Sequence, residues 1–257
     1  MLFRSTDVLV GRIRRNGGEV LLGARVQSLE LDAARQRVVA VRTTQGRFGA
    51  AHVALNAAPH HVVDDLLAGY PELAEARSAL ASLQPSNATT TAYLVLDRPA
   101  RELGLAFNET MLMPADADRR AARREAARAL PSNEALAEAV YWQDSTIEVT
   151  DYGSLDPARG PVVVINMLDD IRQWPQRKTD AYRAKKLRAA DVLCERLYRH
   201  APGLRGHVTY VEVSSPRTCL RYTNNTAGSG YGALIGPRAT GHGFHHRFPL
   251  SNVSFMS

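Results

Sequence analysis

The chain has 257 residues, 45% of them apolar and 23% charged, with 32 Lys and Arg against 26 Asp and Glu and a net charge of +6. At roughly 100 to 200 residues per domain this is one large domain or two modest ones, too long to need stapling and too apolar to be disordered. No apolar run approaches the roughly 18 residues of a membrane span. The two cysteines, Cys194 and Cys219, form no Cys-x-x-Cys pair. That excludes a disulfide scaffold and favours a reducing compartment, and with no signal-peptide core at the N-terminus a cytoplasmic protein is expected.

The positive charge is almost all arginine, the lysines being Lys178, Lys185 and Lys186. Its densest run, residues 119–128, interleaves Arg with Ala and Glu125 and has no aromatic to stack on a base. This is the composition of a solvated helix face, so no nucleic-acid partner is expected.

Residues 2–16 predict a helix with Leu9 and Ile13 on one side, stopped at Asn16-Gly17-Gly18 because Asn and Gly tolerate the left-handed C-cap. A β-meander follows: strands at 19–31, 38–44 and 48–55, with turns at 32–36 and Gln45-Gly46. The apolar parity shifts between Val26 and Leu29, which predicts a bulge near Gln27-Ser28. Pro59 suits a helix start, with a short helix through Leu67, and a further helix from Pro71 carries Leu73, Ala76, Leu80 and Leu83 at spacings of three and four. Residues 89–96 read as a β-branched strand, and 102–139 as Ala- and Arg-rich helices broken at Pro131. Strand then turn is expected over 147–160, and a buried strand over 162–168 from its continuous apolar run. A helix over 179–200 has Leu187, Ala190, Cys194 and Leu197 as its stripe and stops at Pro202-Gly203, before a strand at 207–213. There is no internal repeat, so the chain reads as interleaved layers.

No Gly-x-Gly-x-x-Gly, Walker A or Gly-x-Ser-x-Gly pattern is present. His242, His245 and His246 have helical metal-ligand spacing, but Gly241, Gly243 and Pro249 oppose a helix and no acid or cysteine completes a set, so no metal site is expected. Residues 215–232 combine Gly228, Gly230 and Gly232 with Tyr222, Tyr231 and short polar side chains. Such a backbone can approach a flat polar group closely, and equally reads as a turn-rich loop.

The string Gly17-Gly18-Glu19-Val20-Leu21-Leu22-Gly23-Ala24-Arg25-Val26, the meander, and Leu55-Asn56-Ala57-Ala58-Pro59 resemble the middle of the phytoene desaturase and retinol saturase group of FAD-dependent oxidoreductases, relatives of the flavin amine oxidases. Ser154-Leu155-Asp156-Pro157 with Gly160, the helix after Trp174 and Tyr182, and Ser215-Pro216-x-Thr218 through Tyr231-Gly232 are similar to that group's substrate domain and its return segment, in the same order. The resemblance implies an α/β (α+β) fold: a partial FAD-binding domain at 1–60, a substrate domain of mixed sheet and helix at 61–214, and a truncated return segment at 215–257. It implies FAD as cofactor beside Arg25, Val26, Asn56, Ala57 and Pro59, and a hydrophobic polyene-like substrate beside Tyr222, Asn225, Gly228, Tyr231 and Gly232. No catalytic residue is implied. Peripheral membrane association and self-association through uncovered Val8, Leu9, Ile13, Val253 and Phe255 are further expectations. The group's pyrophosphate-binding Gly-x-Gly-x-x-Gly is missing, so the chain is expected not to retain FAD. The alternative is a non-catalytic α/β module that binds a lipid or protein partner, or an inactive chain.

Overall fold

The computed structural model describes residues 2–81, 83–113, 142, 143, 145–232, 234 and 250–255. The arginine run at 119–128, the break at Pro131 and the three histidines His242, His245 and His246 lie outside them. Among the described residues the architecture is α+β, with one parallel and two antiparallel sheets. Two compact units divide the chain: Met1–Gln84 with Ile235–Ser257, and Pro85–Leu234. The boundaries thus fall at 84/85 and 234/235, where the sequence placed them at 60/61 and 214/215.

In the first unit, α1 (Leu2–Arg15) ends as expected: the Gly18 and Gly17 amides donate to the Ile13 and Arg14 carbonyls at 3.0 and 3.1 Å, with Gly17 at φ 77°. Residues 19–25, expected as strand, are irregular. Gly23 turns the chain at φ 70°, and the carbonyls of Leu22 and Gly23 are taken by the Gln45 and Thr44 side chains rather than by a ladder. The meander is β1 (Val26–Leu31), β2 (Val38–Thr43) and β3 (Gly46–Gly49), antiparallel, with a register shift between Val26 and Ser28 at the predicted bulge.

The expected third strand breaks in two. After β3 the chain leaves the meander, and β4 (Val53–Leu55) pairs in parallel with the C-terminal strand β10 (Val253–Phe255). Asn252 makes the junction: its Oδ1 accepts from the Val38 amide (2.9 Å), its Nδ2 donates to the Val38 and Ala51 carbonyls (2.8 and 2.9 Å), and its own carbonyl accepts from the Val53 amide. Beyond Pro59 the chain winds into a π-helix (His61–Leu66), whose loose carbonyls at Val63 and Leu67 are satisfied by Arg77 of α2 (Ala74–Ala81). Leu29, Val38, Leu55, Val62, Leu66, Leu73 and Val253 form this unit's core. Val253, expected to be uncovered, is therefore buried, because its strand has found β4. Val8 and Leu9 of α1 are 63% and 60% exposed. Among the described residues no helix is long and apolar enough to cross a membrane.

The second unit is built on five strands: β5 (Ala88–Leu96), β6 (Glu109–Leu112), β7 (Ile147–Asp151), β8 (Val162–Asp169) and β9 (Val208–Ser214). They lie in the order β6-β7-β8-β5-β9 with every neighbour antiparallel. A single turn, α3 (Tyr152–Leu155), follows β7, and α4 (Asp180–His200) begins at its Thr179 cap and ends before Pro202. Because side chains alternate along a strand, Ala92, Leu94, Ile147, Val149, Val163, Ile165 and Val213 form one face and pack beneath Tyr182, Ala189, Leu193 and Leu197 of α4.

One sequence reading fails here for an identifiable reason. Leu187, expected in the helix stripe, is 68% exposed, because the buried side of α4 includes Lys185 and Arg196. Those two polar residues are paid for by partners: Arg196 donates to the Trp142 and Ser145 carbonyls, and Lys185 donates to the Gln173 carbonyl and lies 5.4 and 5.5 Å from the Trp142 and Trp174 ring centres. The uninterrupted apolar run of β8 is buried as expected at Val163, Val164, Ile165 and Met167, with Leu168 near its end 44% exposed.

Cys194 sits in this core, and burial pushes its thiol up to about 11, whereas Cys219 is partly exposed and both are free. A thiol reagent at pH 8 is therefore expected to label Cys219 alone, with Cys194 reacting only on unfolding. Two fast-reacting thiols in the native protein would contradict this packing.

Candidate functional site

The residues expected to meet a cofactor all fall in the first unit. Arg25 is exposed and its amide donates to Thr44 Oγ1 at 3.1 Å, and Val26 opens β1 opposite Thr43. Since β1 is an edge of its sheet, its outer backbone edge faces no other strand among the described residues. Asn56, exposed, and Ala57, packed on the core, follow the carboxyl end of β4, and Pro59 stands at the entry to the π-helix. The carboxyl end of parallel strands is where open α/β sheets place ligands. No hydrogen bond among the described residues joins Arg25 or Val26 to Asn56, Ala57 or Pro59.

Tyr222, Asn225, Gly228, Tyr231 and Gly232 are brought together by one local structure in the second unit. Residues read as loop begin with a helix, α5 (Pro216–Thr223), fixed by a reciprocal cap: the Ser215 hydroxyl accepts from the Thr218 amide, and the Thr218 hydroxyl accepts from the Ser215 amide. Ser-Pro-x-Thr was the signal for this start. Asn224 ends the helix at φ 56°, and Asn225 Nδ2 holds the Ser229 carbonyl at 3.1 Å. The loop is pinned to the chain before β5, with the Ser86 amide donating to the Gly232 carbonyl (2.8 Å) and the Gly230 amide donating to that of Asn87 (3.1 Å). Tyr222 and Tyr231 project from it, 77% and 87% exposed.

Gly228 shows why this loop needs glycine: at φ 66° a Cβ would stand 2.2 Å from the Pro216 carbonyl oxygen. Gly228→Ala is expected to lower stability by about 2–4 kcal/mol, through the left-handed backbone and the displaced α5. Denaturant unfolding checks this, and a change under about 0.5 kcal/mol, the scale of a surface substitution, would contradict it.

The feature that sequence reasoning missed is the other face of the five-stranded sheet. Here Met111, Glu148, Asn166, Thr91 and Ser214 stand opposite one another across all five strands, and the adjacent row is Glu109, Thr150, Val164, Tyr93 and Glu212. Met111, Tyr93, Val95 and Tyr210 on this face are exposed. Thr91 Oγ1 donates to Asn166 Oδ1 at 2.7 Å, leaving the Asn166 amide nitrogen for Glu148. The Glu109 carboxyl, hydrogen-bonded to Glu148, raises the Glu148 carboxyl, with partial burial adding to the shift. Burial also raises the Tyr93 phenol, with Cys219 and Tyr152 close enough to add to it. Glu212 differs: Lys186, at 2.7 Å, holds its carboxyl low. Among the described residues no group of three or more His, Cys, Asp and Glu is placed to hold a metal ion.

No family model matches the chain. No curated protein matches it either. Among solved structures the fold is similar to that of an oxidoreductase from Methanosarcina mazei, with a TM-score of 0.59 at 15% identity. The likeness covers 98% of this chain and 47% of the other, so this chain spans about half of that protein's length.

Proposed function

We propose that the chain is part of an FAD-dependent oxidoreductase of the phytoene desaturase and retinol saturase type, acting on a hydrophobic, polyene-like substrate. The observation that carries this reading is a fold shared over 98% of the chain with a protein described as an oxidoreductase. The motif order supports it, and so does the second unit's sheet, on whose second face Tyr93, Val95 and Tyr210 are exposed beside the buried Val164 and Thr91 and offer an apolar molecule their side chains. The first unit suits only part of a dinucleotide. The free edge of β1 at Val26 and the turn at Asn56-Ala57 can meet an adenine and its ribose through backbone groups, while the loop that would neutralise a pyrophosphate is not encoded. The chain's own contribution is to bind and orient a substrate and keep water from it.

The test is an amide-resolved NMR titration of the chain with FAD and with ADP. Weak binding is expected, with shifts at Arg25, Val26, Asn56 and Ala57 common to both ligands. No shift up to about 1 mM, a free energy of about 4 kcal/mol, would overturn the cofactor assignment, as would shifts elsewhere only.

A further inference from the structure

We propose that Trp142, Trp174 and Tyr182 form a relay that carries a one-electron oxidation through the core of the second unit, with the Asp169 carboxylate taking the indole proton and the Tyr182 phenol ending the path. The inference goes beyond the substrate reading and needs neither flavin nor polyene. The chain has two tryptophans, and both stand in this row: ring centres are 5.8 Å apart from Trp142 to Trp174 and 5.6 Å apart from Trp174 to Tyr182. None of the three is more than 4% exposed. Packing accounts for three aromatic rings in contact, but not for the polar groups set against them. The Trp174 indole N–H donates to Asp169 Oδ2 at 2.9 Å, the Lys185 ammonium lies 5.4 and 5.5 Å from the two indole ring centres, and the Tyr182 hydroxyl is 2.7 Å from that of Ser215. Burying a carboxyl and an ammonium here is costly, and each stands where charge changes when an electron leaves the row.

A one-electron oxidant takes an electron from an indole and is itself reduced by it. The resulting ring cation faces the Lys185 ammonium in a site of low dielectric, where the repulsion is large, and it sheds its proton. At Trp174 that proton crosses to Asp169 Oδ2, leaving a neutral indolyl radical and a carboxylic acid. Burial raises this carboxyl above its ordinary 3.8 and so strengthens it as a proton acceptor. An electron from Tyr182 then refills Trp174, and the proton returns from Asp169 to the indole nitrogen. The phenolic proton leaves through the hydroxyls of Ser215 and the partly exposed Thr218, 2.7 and 3.3 Å from the phenol oxygen. A hole formed on Trp142 enters the same path by drawing an electron from Trp174. No bond between heavy atoms forms or breaks: the oxidant gains one electron, water gains one proton, and Tyr182 becomes a phenoxyl radical. A one-electron reductant such as ascorbate, giving an electron and a proton, restores the phenol, so the relay clears oxidising equivalents from the core.

The experiment excites tryptophan in the full chain at the red edge of its absorption, where tyrosine does not absorb, with pentaamminechlorocobalt(III) as an irreversible electron acceptor. Transient absorption and freeze-trapped electron paramagnetic resonance report where the hole rests. The parent is expected to show the indolyl radical giving way to a phenoxyl radical, whose spectrum narrows when the tyrosines are ring-deuterated. An indolyl radical that decays with no phenoxyl would overturn the proposal. Of the nine tyrosines, Tyr182 is the one in ring contact with a tryptophan among the described residues, so Tyr182→Phe should abolish the phenoxyl signal and lengthen the indolyl lifetime. An undiminished phenoxyl signal in that variant would contradict the end point. Trp174→Phe should strand the hole on Trp142, and unchanged phenoxyl formation would refute the order of the row. In Asp169→Asn, whose side chain accepts the indole hydrogen bond without taking the proton, the indolyl cation should replace the neutral radical. A neutral radical formed as in the parent would remove Asp169 from the path. Folding of each variant is read from its melting transition, and the ring-deuterated parent decides the proposal even where a variant does not fold. None of these outcomes depends on FAD, so failure here and failure of the FAD titration are distinguishable.

Discussion

Replacing Asp169 by alanine is expected to destabilise the second unit by about 3–5 kcal/mol at mildly acidic pH, one of the two largest single-site effects in the protein. Asp169 is 2% exposed at the end of β8, where its carboxylate oxygens accept from the Thr90 hydroxyl, the Trp174 indole N–H at 2.9 Å and the Asp170 amide at 2.7 Å, with the Trp142 side chain as a further partner. Alanine leaves these donors buried with nothing to meet, and each orphan costs about 1–3 kcal/mol before any water enters. Asparagine is only a partial rescue: its Oδ1 can accept from Thr90 and Trp174, but its Nδ2 then faces the Asp170 amide, donor to donor. Burial nonetheless outweighs the donors and lifts this carboxyl above its ordinary 3.8. The folded state therefore holds the proton more tightly than the unfolded one. The contribution of Asp169 is complete below pH 3.8 and declines as pH rises through the folded value. Denaturant unfolding across a pH series should show the gap between parent and Asp169→Ala narrowing towards higher pH, and a gap that widens would contradict this account of the site.

The second large effect is expected at Asn252 in the first unit. Its amide occupies the place of a strand residue, meeting both backbone groups of Val38 and the carbonyl of Ala51, and it is 5% exposed. Asn252→Ala should cost about 2–4 kcal/mol, and Asn252→Asp about the same, since a carboxylate cannot donate to two carbonyls. Hydrogen exchange gives the local check: the Val38 and Val53 amides should lose protection while those of β5 and β8 keep theirs. Unchanged exchange at Val38 would mean that the meander and the parallel pair are held together by burial alone.

How much of this was legible from sequence depends on whether the signal was local. The glycine stop after α1, the bulge at Val26–Ser28, the Thr179 start of α4 and the strand β5 depend on neighbours in the chain, and each stands where the pattern put it. The strand expected at 48–55 failed because its second half pairs with residues some 200 positions away, which no window of local periodicity contains. The stripe on α4 was misread because a buried Lys185 and Arg196 count as exposed in any hydrophobicity pattern, and only the indoles and carbonyls around them make burial tolerable. The open sheet face suffered most. Its members come from five strands spread between residues 88 and 214, each an unremarkable alternating residue in its own segment, and they become a site only through register.

Energy transfer to a bound polyene tests most directly whether this face receives the substrate. The chain has two tryptophans, Trp142 and Trp174, both buried in the core beneath the covered face of the same sheet, about 10 Å, one sheet-packing distance, from anything lying on its open side. Retinol added to the protein should quench tryptophan emission and gain sensitised emission of its own, saturating at one molecule per chain, with Tyr93→Ala weakening binding while leaving the melting transition in place. Sensitised emission that never saturates, or that is indifferent to Tyr93 and its neighbours Val95 and Tyr210, would contradict the account.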